Sequence, residues 1–195
     1  MNSIQSRFKL GLLGMAVMFF SGCAFTPQQA EITPQLELVQ SDEGRGTTVY
    51  LRVIDERSNQ IIGRRGTGAM KGAEITTTEE LDVVFHNAIA DGLRQKGFEV
   101  VTDSGRSHTL KVEIRSFEYD VSMGFWTGGV HTNAALKAIA KRGGQEYENV
   151  YRFDGEQRVM FVPGKDKNQQ MINAMADGIL AEMFRDNALI GFLAQ

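Results

Sequence analysis

From His108 to Phe153 the chain reads as three long strands in a row, and no other stretch restricts the fold as tightly. Leu110, Val112 and Ile114 alternate with polar residues, after which the apolar phase slips to Phe117, Tyr119 and Val121. Alternation assigns one set of side chains to one face, so a slip of phase without a turn predicts a β-bulge near Arg115-Ser116. Val130 to Lys141 alternates through smaller residues. Arg142-Gly143-Gly144-Gln145 is a tight-turn signal, and Glu146 to Phe153 follows with Tyr147, Tyr151 and Phe153 on one face. Asp154-Gly155 bends that strand, and Val159 to Val162 continues it as far as Pro163-Gly164.

Around this block the remaining elements are shorter. Val49, Leu51 and Val53 alternate within a strand at 47–55, Ile61-Ile62 starts a second, and Phe98 to Thr102 forms another. The run from Thr76 to Glu80 carries a capping-box pattern ahead of a helix whose apolar stripe is Leu81, Val84, Phe85, Ala88, Ile89 and Leu93. Lys96-Gly97-Phe98 closes that helix with a left-handed glycine. A second helix opens at Asp166 with the stripe Ile172, Met175, Ala176, Ile179, Leu180 and Met183, and 188–193 adds a short terminal helix. Consecutive strands with tight turns pair antiparallel, and one-sided helices cover a sheet face. The expected fold is therefore α+β: a two-layer, mainly antiparallel sheet with two helices packed on one face, within a domain at 47–195.

The N-terminus is an address. Arg7 and Lys9 precede an uncharged apolar run from Leu10 to Phe20, too short for a bilayer core of roughly 30 Å. Phe20-Ser21-Gly22-Cys23 resembles the bacterial lipobox, which implies a signal peptide at 1–22 and a lipid on Cys23, the single cysteine of the chain. A lone lipidated cysteine forms no internal bridge, and a domain of this size needs none. Residues 23–46 carry Pro27, Pro34 and the turn-rich run Ser41 to Gly46, and read as a tether, with a short extended piece at Leu36 and Leu38 docking on a sheet edge. About 20 extended residues at roughly 3.3 Å each would reach about 65 Å.

Chemistry is sparse. The formal net charge is −3, more acidic once Arg7 and Lys9 leave with the signal, and no basic cluster is interleaved with aromatics, which disfavours nucleic acid. His86, His108 and His131 sit on different elements and make no metal site. Ser104 lacks the first glycine of a nucleophile elbow. Gly63-Arg64-Arg65-Gly66-Thr67-Gly68 lacks the Gly-Lys-Ser/Thr ending of a phosphate loop and reads as a flexible basic loop, while Asp55-Glu56-Arg57 reads as a solvated turn. No catalytic residue and no cofactor are expected. The feature that resists a bland reading is Phe125-Trp126, set among Gly124, Gly128 and Gly129 between two long strands. Such a pair either caps the core or forms an exposed contact for a partner or a membrane surface.

Several of these stretches are similar to the YajG-like family of bacterial lipoproteins. The likeness rests on the lipobox, on Val49 to Arg57, on the helix from Leu81 to Phe98, on Leu110 to Val121 and on Asn173-Ala174-Met175-Ala176-Asp177. It implies an outer-membrane lipoprotein of a Gram-negative bacterium with its domain in the periplasm, and Ala24 rather than Asp after the cysteine agrees with that destination. No activity comes with the family. The leading expectation is a noncatalytic envelope module, held to the membrane by its lipid anchor and contacting an envelope protein. The alternatives are an envelope enzyme with a dispersed site, or a carrier with an apolar pocket between sheet and helices.

Overall fold

The computed structural model describes residues 26–66, 72–102, 105, 108–123 and 128–195. Among them, β1 (Gln28–Ala30), β2 (Thr48–Asp55), β3 (Gly63–Arg64), β4 (Glu74–Thr77), β5 (Glu99–Val101), β6 (His108–Met123), β7 (Gly128–Arg142) and β8 (Gln145–Val159) form one eight-stranded sheet. The helices are α1 (Leu81–Gln95), α2 (Lys165–Phe184) and α3 (Asn187–Ala194).

The long meander follows its alternation. Strand β6 pairs antiparallel with β7 along its whole length, β7 pairs antiparallel with β8, and the register shifts between Ile114 and Ser116, where the phase slip lies. Beyond this block the expected fold class does not hold. β1–β4, β2–β5, β2–β6 and β3–β6 are parallel pairs, so the sheet is mixed. It curls into a half-barrel that encloses three helices, instead of lying as a mainly antiparallel layer beneath two. The reason lies in the connections. Parallel neighbours require a crossover of a dozen or more residues, and α1 supplies one between β2 and β5, whereas antiparallel order follows only where the turns are tight. Strands of 15 and 16 residues also accumulate right-handed twist, which the bulge increases.

The inner face carries the core. Val112, Ile114 and Phe117 of β6 lie beside Ala138, Leu136 and Ala134 of β7, all fully buried. The alanines leave room for helices to approach. Phe85 of α1 meets Phe117 edge-on, with ring centroids 5.7 Å apart, and the Phe153 ring of β8 occupies the space where a Cβ at Gly178 of α2 would stand. Helix α1 ends as its sequence indicates, with Gly97 at φ +88° and the Phe98 amide donating to the Leu93 carbonyl at 3.1 Å. Its start differs: Glu80 precedes the helix with no side-chain cap, because Thr76 and Thr77 are claimed by β4, which pairs with β1.

Candidate functional site

Among the described residues, an extended polar network stands where the chain enters the body. The Thr26 carbonyl accepts from Arg65 Nη1 at 3.1 Å. Two residues on, Gln28 Nε2 donates to the Lys165 carbonyl, its Oε1 accepts from Asn168 Nδ2 at 3.0 Å, and Asn168 Oδ1 accepts from the Tyr119 hydroxyl at 2.6 Å. Gln28, Arg65, Asn168 and Tyr119 are all buried. Burial pushes the Tyr119 hydroxyl far above its ordinary range, with nearby Arg65 opposing it, so the hydroxyl stays a donor. The segment then lies along α2. Backbone amides of Glu31, Thr33 and Gln35 donate to the side chains of Gln169, Asn173 and Asp177. Alternate residues of an extended chain advance nearly 7 Å and four helical residues about 6 Å, which is why every second amide finds every fourth helix residue. Of the stretch expected as a tether with a piece docked on a sheet edge, Glu31 to Gln35 is held against α2. The reason is a set of partners about 140 residues away, invisible to a local reading. Arg65, expected on a flexible basic loop, is buried for the same purpose.

The register locates this entry on the sheet. Gln28, Ile75, Gly63, Tyr119, Thr132 and Gly155 form one row across six strands. Moving from that row toward Thr26 on β1 leads to Arg64 on β3, Val121 on β6, Val130 on β7 and Gln157 on β8. At this end β8 runs out into Met160, Phe161 and Val162, which are 74%, 79% and 40% exposed, ahead of the buried Pro163 and α2. Other large apolar side chains that are exposed among the described residues, such as Val39 and Val83, stand singly.

A second feature is a cleft of about 560 Å³ lined by Arg57, Asn59, Arg64, Arg115, Glu118 and Asp120 among others. It exists because β2 accompanies β6 only as far as the Asp55–Ile114 pair and β3 joins that edge at Tyr119. Arg57 and Arg64, seven residues apart in sequence, both line it. They are ion-paired: Arg57 grips Asp55 through Nε at 2.9 Å and Nη2 at 2.7 Å, Arg64 reaches Glu74 at 2.8 Å, and Arg115 reaches Glu56 at 2.9 Å. Arg57 Nη1 is buried without a hydrogen-bond partner.

A family model of uncharacterised lipoproteins matches residues 34–194, nearly the whole folded body. The chain belongs to that family. No curated protein matches the sequence. Among solved structures, an uncharacterised protein is 12% identical with a TM-score of 0.54, the match covering 82% of this chain and 98% of that one. A Xanthomonas campestris protein, also 12% identical, has a TM-score of 0.49 over 86% of this chain and 93% of its own. At such identity the first likeness establishes the fold alone.

In the lipoprotein, Cys23, Phe125 and Trp126 lie outside the described residues, although Met123 and Gly128, which flank the aromatic pair, are paired with each other, and Gly128 with Val159. His108 donates from Nδ1 to the Leu193 carbonyl at 2.8 Å, His86 is half-buried on α1 and His131 is exposed on β7. The described residues hold no cluster of metal-ligating side chains and no helix long and apolar enough to cross a membrane. Sequence reasoning missed Asp186. Its Oδ1 caps α3 by accepting from the Ala188 and Leu189 amides, while Oδ2 accepts from Tyr147, Asn149 and Tyr151 of β8 at 2.7, 2.9 and 2.6 Å. The alternate spacing of those three residues was the available signal; their common target was not.

Proposed function

We propose that the protein is a noncatalytic binding module of the cell envelope, lipidated on Cys23 and held at the periplasmic face of the outer membrane, as the likeness to YajG-like lipoproteins implies. The observation that carries this reading is the locked chain entry. With Thr26 fixed by Arg65, three residues separate Cys23 from the folded body, so a lipid there holds the body within about 11 Å of its attachment point. A tether of 65 Å would let a domain search the periplasm; a link this short makes it a fixture of one surface. Membership of a lipoprotein family over 34–194 supports the anchor. One acyl chain binds a membrane reversibly and several bind firmly, at about 0.8 kcal/mol per buried CH₂.

Intact-mass analysis of protein from native membranes tests the anchor: Cys23 carries diacylglycerol and an amide-linked acyl chain, and Cys23→Ser is unmodified and leaves the membrane fraction. An unmodified Cys23 on the native protein defeats the proposal. For the envelope partner, the reading assigns the contact to Phe125 and Trp126, and Phe125→Ala with Trp126→Ala weakens cross-linking to envelope proteins. The Arg57–Arg64–Arg115 cleft favours a second reading, a carrier of a small polar ligand, in place of the apolar pocket expected between sheet and helices.

A further inference from the structure

We propose that Met160, Phe161 and Val162 insert into the lipid surface to which the protein is anchored, so that the domain stands on the bilayer in one orientation; this rests on the lipidation of Cys23 proposed above. Gln28 and Gly155 belong to the same row of the sheet, and both strands run toward the same end, β1 back toward the N-terminus and β8 forward. Five residues separate Gln28 from Cys23, and five separate Gly155 from Met160. Strands rise about 3.3 Å per residue, so Thr26 stands up to about 7 Å and Met160 up to about 17 Å past the row, on the same side of it. Thr26 is tied down by Arg65 and Gln28 by Lys165 and Asn168, which leaves three residues with which to turn the body away from its anchor.

The chemistry of the segment fits a bilayer boundary. Among the described residues, Met160 and Phe161 are the most exposed large apolar side chains at this end of the sheet, at 74% and 79%, and Val162 extends them into a contiguous run. A lipid surface removes such side chains from water, and the backbone at a strand end keeps its polar groups at headgroup level. Within five residues of the run, Arg158, Lys165 and Lys167 stand against Glu156 and Asp166, a small positive excess toward anionic headgroups.

The test uses the full lipidated protein reconstituted in vesicles of phosphatidylethanolamine and phosphatidylglycerol. Lipidation blocks the native thiol of Cys23, so Phe161→Cys supplies a unique site for an environment-sensitive fluorophore, with Val150→Cys on β8, five residues from Gly155 in the opposite direction, as the comparison. The expected result is a several-fold rise and blue shift of emission at position 161, quenched by nitroxides on lipid chains, with position 150 unchanged. Equal, water-like emission at both positions overturns the insertion while leaving the anchor intact. Emission that rises at 161 in native membranes but not in protein-free vesicles also overturns it, because a protein then covers the patch. Reaction of a maleimide with Cys23 itself, in protein carrying no substitution, overturns the anchor and is read separately.

Discussion

The backbone amide of Gln35 donates to the Asp177 carboxylate at 2.7 Å, across 142 residues of sequence. It is the last rung of a ladder in which Gln169, Asn173 and Asp177, one helical turn apart, hold Glu31, Thr33 and Gln35. Burial raises the Asp177 carboxyl and the Gln35 amide opposes that rise, so the rung is a charge-assisted bond at the edge of the helix. Asn173→Ala with Asp177→Ala should release the strap: amide exchange at residues 33 and 35 accelerates by at least about tenfold, the factor that corresponds to about 1.4 kcal/mol, while amides in β6 and β7 keep their protection.

Asp186 makes stability depend on acid. Burial opposes its ionisation, but hydrogen bonds from Tyr151, Asn149, Tyr147 and the Leu189 amide outweigh that and hold its pKa at about 2 against an ordinary 3.8. The folded value lies below the unfolded one, so the stabilisation is complete above about pH 3.8 and is lost as pH falls through about 2. Asp186→Asn should cost about 1 to 3 kcal/mol at neutral pH and flatten the loss of stability between those two values, as read by denaturant titration at a series of pH values.

At Gly178 two rules disagree and packing should win. Alanine there gains about 1 kcal/mol of helix propensity, yet its Cβ would overlap the Phe153 ring. Overpacking of this kind costs about 1 to 3 kcal/mol. Thermal unfolding of Gly178→Ala should therefore show a lowered Tm, and Phe153→Leu in the same chain should recover part of the loss.

The Asp55–Arg57 pair is half-buried at the edge of the cleft, with side chains 18% and 7% exposed. Removing one partner strands the other: Asp55→Ala leaves a guanidinium whose Nη1 already lacks a partner, at a cost of about 3 kcal/mol or more. Exchanging both for apolar residues of similar size should cost less than the single change. A cycle measured by chemical denaturation checks the ordering, and added salt should weaken it less than it weakens the exposed pairs, because the pair is half-buried.

Tyr119→Phe removes the hydroxyl that donates to Asn168 and leaves a buried amide oxygen with one partner fewer. A loss of about 1 to 3 kcal/mol is expected, together with faster exchange of the β1 amides, since Asn168 is also what holds Gln28. Unchanged exchange in β1 would mean that the strand pairing with β4 holds the chain entry without this network.

Local pattern was sufficient wherever the decisive neighbours are near in sequence. The phase slip after Ile114, the Gly143-Gly144 turn, the apolar stripes of α1 and α2 and the Gly97 cap all depend on residues within a few positions of one another, and alternation or helical period reports them directly. What the tertiary structure alone decided is which edges meet. Consecutive order suggested a mainly antiparallel sheet, but α1 carries the chain across so that β2 lies parallel to both β5 and β6, and the sheet curls into a half-barrel with three helices. The N-terminal segment looked like a tether because its own residues carry prolines and no long period; its order comes from Arg65, Asn168 and the Gln169–Asn173–Asp177 ladder. Hydrogen-bond partners have no period in sequence, since any residue that the fold brings within about 3 Å will serve. For that reason the chain entry, the charged cleft and the Asp186 junction became visible only once the strands were in register.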